Sequence, residues 1–119
     1  MKDLKAVIRI HVWIESDKGM ILGPGRAKLI ENIEKYGSLQ NAAKKMGISY
    51  RAAWGRIKKT EEVLGYNLLV KTPGGYHLSD LGRELYQKYK AWYQKIESHA
   101  LRESQGVFPW KSVPYQADE

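Results

Sequence analysis

Apolar residues recur along this chain with two periods, and the switches between them mark out its elements. Residues 6–15 are rich in Val, Ile and Trp and predict a strand, and Ser16-Asp17-Lys18-Gly19 supplies a turn into a shorter strand at residues 20–22, completing an N-terminal β-hairpin. After the break at Gly23-Pro24-Gly25 the spacing becomes helical, with Ala27, Ile30 and Ile33 on one face of residues 26–36. Two further helices are predicted at residues 39–46 and 50–64. The second carries Ala53, Ile57, Thr60 and Leu64 on one stripe, and Gly65 is placed to end it in a left-handed turn. Residues 67–71 and 76–78 read as short strands around the turn Thr72-Pro73-Gly74-Gly75. Ser79 then caps a long helix, residues 80–101, in which Leu81, Leu85, Tyr89, Trp92, Ile96 and Ala100 recur every three or four positions. Residues 102–119 include Gly106, Pro109 and Pro114, show no period and predict an irregular tail, either loose or pinned locally by Phe108 and Trp110.

The segment from Gly37 to Ile57 narrows this outline. Ser38 and Ser49 can each accept a backbone N–H and so open a helix, and Gly47 stops the first of the two. Ala42 and Ala43 are small enough for two helices to cross closely, and Ile48 supplies an apolar plug for the turn. This is a helix-turn-helix, and the two-stranded flap that follows it is a wing. The predicted fold is mostly α with small β: a winged helix-turn-helix with an N-terminal β-hairpin and a long C-terminal helix. Residues 1–101 form the domain, and residues 102–119 form the tail. The apolar stripe of residues 80–101 is longer than a small domain can cover, so Leu81, Leu85, Tyr89, Trp92 and Ile96 are expected to pack against a second copy of the chain.

Composition limits the alternatives. A chain of 119 residues with 43% hydrophobic content can bury one core but leaves little room for a large enzyme cleft. Cysteine is absent, which removes disulfides and thiolate metal sites and suits a reducing cytoplasm. The longest apolar run, residues 7–14, is interrupted by Arg9 and His11 and is far too short to span a membrane. The expectation is a soluble cytoplasmic protein with no membrane partner.

The formal net charge of +7 gains meaning from its position. Between Lys35 and Thr60 the only charges are Lys35, Lys44, Lys45, Arg51, Arg56, Lys58 and Lys59, with no carboxylate among them, so the expected partner is a polyanion. Opposite its apolar stripe the second motif helix displays Tyr50, Arg51, Trp54, Gly55 and Lys58. Its first turn, Ser49 to Arg51, is expected to enter a major groove. There Arg51 can pair with guanine O6 and N7, and Tyr50 can meet a phosphate or a thymine methyl. Trp54 borders the stripe and reads equally as core edge or as a DNA contact. Lys44, Lys45, Arg56, Lys58 and Lys59 suit phosphate contacts, since flexible cations neutralise charge without encoding sequence. In the wing, Lys71, Thr72, Tyr76 and His77 can reach an adjacent backbone or minor groove. Gly55 costs a helix on the order of 1 kcal/mol relative to alanine, a cost that fits a backbone in need of close approach.

No catalytic set emerges. His11, His77 and His99 fall in three elements without metal-ligand spacing, and Glu61 and Glu62 are adjacent and therefore point to different helix faces. Gly23-Pro24-Gly25 lacks the remainder of a phosphate-binding loop. Neither cofactor nor metal is expected.

Several segments resemble the DNA-binding domain of the ModE-type, molybdate-responsive transcriptional regulators, itself similar to the N-terminal domain of LysR-type regulators. They are Leu22-Gly23-Pro24-Gly25-Arg26, Gly37-Ser38-Leu39 with Ala42-Ala43, and above all Met46-Gly47-Ile48-Ser49-Tyr50-Arg51-Ala52-Ala53-Trp54. The stretches Glu61 to Gly65 and Leu78 to Leu85 resemble both families. The resemblance implies a prokaryotic regulator that dimerises on the long helix and sets two reading helices into successive major grooves of a partly palindromic site. Two departures stand out. The family wing usually has a longer glycine-rich loop than Thr72-Pro73-Gly74-Gly75-Tyr76, and the 119 residues stop before any molybdate-binding domain, so oxyanion sensing is not part of the expectation and any small-molecule effector is unknown. The expected function is sequence-specific binding of double-stranded DNA by a homodimer that regulates transcription, without enzymatic activity. The competing expectation is a protein-interaction module on the same scaffold, with Trp92, Tyr93, Phe108 and Trp110 as its contacts.

Overall fold

The computed structural model describes residues 3–116. In chain order the elements are β1 (Lys5–Ile8), β2 (Ile14–Ser16), β3 (Gly19–Leu22), α1 (Pro24–Tyr36), α2 (Leu39–Met46), α3 (Tyr50–Leu64), β4 (Leu69–Thr72), β5 (Gly75–Leu78), α4 (Asp80–Ser104) and β6 (Lys111–Pro114). The fold is the expected winged helix-turn-helix with a long C-terminal helix. Two compact units result: Val12–Tyr89, and a smaller one built from the two ends of the chain, up to His11 and from Lys90 onward.

Local chemistry sets the helix ends in the larger unit. The Ser38 hydroxyl accepts from the Asn41 amide at 3.1 Å, and Ser49 accepts from Ala52 at 3.0 Å, so each satisfies a donor that its helix leaves unpaired. Gly47 takes up the left-handed conformation (φ 67°) that closes α2, and its N–H reaches back to the last turn. Leu29, Ile30 and Ile33 of α1, Leu39 and Ala42 of α2, and Ala53 and Ile57 of α3 form a fully buried core. Each large aliphatic side chain there contributes about 1.5–3 kcal/mol relative to exposure. Tyr86 of α4 donates to Glu31 of α1 at 2.6 Å; burial, followed by that hydrogen bond, holds the phenol well above its ordinary pKa, so it remains a donor at any physiological pH.

The wing strands are antiparallel, with Lys71 opposite Tyr76 and Thr72 opposite Gly75. β4 begins two residues later than the sequence suggests, where the amides of Leu68 and Leu69 are taken by Glu61, and β5 begins one residue earlier. Gly82, in the first turn of α4, passes so close to Leu68 that a Cβ there would stand 2.6 Å from its carbonyl oxygen.

The chain ends depart from expectation. The predicted hairpin exists, but only residues 14–16 of its long first strand pair with β3. In place of the rest, β1 pairs with β6 in parallel, Lys5 opposite Lys111 and Val7 opposite Val113. The carbonyls of Ile10 and Val12 are instead engaged by hydroxyls of α4, those of Tyr93 and Tyr89 respectively, which leaves residues 9–13 without a ladder. The tail expected to be irregular therefore contains a strand. α4 also runs three residues past 101, and Phe108 stacks on Trp110 at 4.9 Å.

Candidate nucleic-acid interface

α3 is presented to solvent along a face that starts at its first turn. Ser49 is exposed but its hydroxyl is occupied in capping, so it fixes the helix start rather than reaching outward. Tyr50 is 44% exposed and Arg51 is exposed beside it. Among the described residues Arg51, Arg56, Lys59, Lys44, Lys45 and Lys71 form no ion pair, and all six are exposed. Uncompensated cations with no carboxylate before Glu61 give this part of the surface a positive potential. Arg56 lies near Arg26, whose guanidinium is held below its usual pKa by burial and then by the Arg56 charge. Arg26 is itself anchored to the Met20 carbonyl and the Thr60 hydroxyl, both at 2.9 Å, which ties β3, α1 and α3 together.

Lys58 is placed differently from the other cations. Its ammonium sits 2.8 Å from a Glu61 carboxylate oxygen and 4.3 Å from the centre of the Trp54 ring. Trp54 is half-buried against the core, stacks on Tyr50 with centroids 6.3 Å apart, and meets Tyr76 of the wing edge-on at 4.7 Å. Lys45 lies over the Tyr36 ring at 5.1 Å, with Lys35 on the same ring at 5.4 Å. In the wing, strand alternation places Lys71 and Tyr76 on one face and Val70 and His77 on the other. Thr72 donates to the Gly75 carbonyl at 3.1 Å and shapes the loop. A Cβ on Gly75 would stand 3.8 Å from that of Ser38, so the wing loop and the first turn of α2 share an edge.

Two features escape sequence reasoning. Glu61 is buried, and the available signal was its position between Ile57 and Leu64 on the apolar stripe. The stripe on α4 is divided: Tyr89 and Leu85 pack into the chain's own core, while Leu81 and Trp92 remain 49% and 43% exposed and Ile96 half-exposed.

The bacterial regulatory helix-turn-helix protein family of lysR type matches residues 26–83, the span from α1 through the wing into α4. Residues 26–83 are a lysR-family helix-turn-helix. Molybdenum transport protein ModE of Azotobacter vinelandii is 35% identical over 83 residues, covering 66% of this chain and 31% of that protein. Transcriptional regulator ModE of Haemophilus influenzae is 26% identical over 110 residues, covering 88% of this chain and 41% of that one. The chain thus spans less than half the length of either relative. The DNA-binding domain in the crystal structure of the CbnR_DBD–DNA complex superposes with a TM-score of 0.58 at 18% identity, over 71% of this chain and 97% of that one, and shares the fold. The lysR-type motif accounts for α1 to α3 and the wing; β1, β2, β3, β6 and all of α4 beyond Arg83 lie outside the matched residues.

Proposed function

We propose that this protein is a transcriptional regulator that acts in the cytoplasm as a homodimer, binds double-stranded DNA sequence-specifically, and carries out no chemistry of its own. The observation that carries the reading is the first turn of α3, where Tyr50 and Arg51 stand exposed, without a carboxylate partner, among further unpaired cations. Arg51 reads a base through its two-pronged guanidinium, and Tyr50 meets a phosphate or a thymine methyl. Lys44, Lys45, Arg56 and Lys59 contact phosphates, joined by Lys58 where it leaves Glu61, and Lys71, Thr72, Tyr76 and His77 serve the flanking backbone. The Haemophilus influenzae relative, named a transcriptional regulator, and the structural neighbour, solved in complex with DNA, support the partner class. The exposure of Leu81 and, further along α4, of Ile96 supports pairing with a second copy.

Selection from a random duplex pool tests this reading. Partly palindromic sites are expected, with half-sites about 10–10.5 base pairs apart centre to centre or a multiple of that. Affinity should fall steeply with salt, and Lys45→Ala should reduce the slope of log K against log salt by about 0.9. No enrichment and no retention on duplex at low salt would reject the proposal.

Gly55 offers a second test. It lies inside α3 without positive φ, and a Cβ there would meet nothing within 4 Å, so nothing in the folded chain requires glycine. Gly55→Ala is expected to raise stability by about 1 kcal/mol in thermal or urea unfolding while weakening duplex binding. Unchanged or tighter binding would show that the missing side chain does not serve the groove.

A further inference from the structure

The buried carboxylate of Glu61 has no part in the DNA contacts proposed above, yet it gathers three polar contacts. One oxygen accepts from the amides of Leu68 and Leu69 at 2.7 and 3.2 Å, the two residues with which the chain enters the wing. The other oxygen pairs with Lys58 at 2.8 Å. Lys58 in turn covers the Trp54 ring, and Trp54 meets Tyr76 on the returning wing strand and Tyr50 at the start of α3. Both strands of the wing are therefore tied to the reading helix, β4 through Glu61 and β5 through Trp54. A carboxylate that accepts two backbone N–H groups and an ammonium in a buried setting has most of its acceptor sites taken by charge-assisted contacts, which are the stronger and more directional kind. The short loop between Thr72 and Gly75 leaves the wing little slack to find its place by itself.

We infer that Glu61, acting with Trp54, is a wing-positioning residue: it sets the offset between the base-reading turn of α3 and the flanking backbone contact of the wing, and so determines which positions outside the half-site centre the protein touches. This rests on the DNA-binding reading given above. It also gives Lys58 a primary place as the bridge between the two tethers, ahead of any phosphate contact.

The test compares hydroxyl-radical footprints on the duplex selected by the wild type, together with amide hydrogen exchange of the free protein, for Glu61→Gln, Trp54→Ala and Trp54→Phe. Glu61→Gln keeps the shape but removes the charge and turns donors toward donors. Trp54→Ala cuts the second tether from a half-buried position and covers the case in which the first variant does not fold. The expected result is faster exchange across residues 68–78 with α3 protection retained, loss or shift of the flanking protection with the central protection kept, and recovery of the flanking pattern in Trp54→Phe. Variants that fold and give the wild-type footprint would overturn the inference alone. A wild type that protects no duplex would instead overturn the DNA-binding reading on which it stands.

Discussion

An Arg51→Ala variant is expected to lose about 1–3 kcal/mol of affinity for the selected duplex, and to lose preference at one base position, while binding to random duplex falls far less. The cause is the placement of the side chain. Arg51 projects from the first turn of α3, which is fixed by the Ser49 cap, and among the described residues no carboxylate pairs with its guanidinium. Arg51→Lys separates the two ingredients, because it keeps the charge but loses the planar fork; it should retain most non-specific binding and still blur the same base. Parallel titrations on selected and random duplexes decide the matter. Equal losses on both would assign Arg51 to the phosphates.

The second large effect concerns stability. Gly82→Ala should cost about 1–3 kcal/mol and lower the thermal midpoint accordingly, by about 4–8 °C for each kcal/mol in a domain of this size. The added Cβ would fall 2.6 Å from the Leu68 carbonyl oxygen and 3.3 Å from its Cα and carbonyl carbon, all backbone atoms. Leu68 has little freedom to yield, since its carbonyl accepts from the Ser79 amide at 2.8 Å and its own amide is held by Glu61. Gly25→Ala, in the first turn of α1 where a Cβ meets nothing within 4 Å, provides the control and should leave the midpoint at or somewhat above that of the wild type. A Gly82→Ala midpoint equal to the control would mean that the start of the wing is softer than its hydrogen bonds indicate.

What could be read from the sequence follows the range of the forces involved. Ser38, Gly47 and Ser49 act within four residues of themselves, so the helix-turn-helix is visible before any tertiary contact is known. The uncompensated cations are likewise a matter of composition along a short stretch. The β1–β6 ladder is the opposite case: nothing in either segment names a partner more than a hundred residues away. Residues 9–13 have strand-forming side chains, yet the carbonyls of Ile10 and Val12 are drawn off by tyrosines of a distant helix. Tyr89 fits a dimer stripe and a core stripe equally well by spacing, and packing assigned it to the core. Glu61 was hidden by its own chemistry. A carboxylate reads as helix surface until the unpaired amides beyond Gly65 are seen to need it.

The parallel pairing of Lys5–Ile8 with Lys111–Pro114 has a consequence for biogenesis. On the ribosome Lys5–Ile8 emerges about a hundred residues ahead of its mate, so the lysR-type motif between them can consolidate while the earlier segment still lacks its ladder. Closing so long a loop carries an entropic cost that grows only logarithmically, but it must be met before the ladder returns anything. The ladder is therefore placed to close after the motif has folded, and a nascent polypeptide stalled before residue 111 would hold a finished reading head with Lys5–Ile8 unmatched.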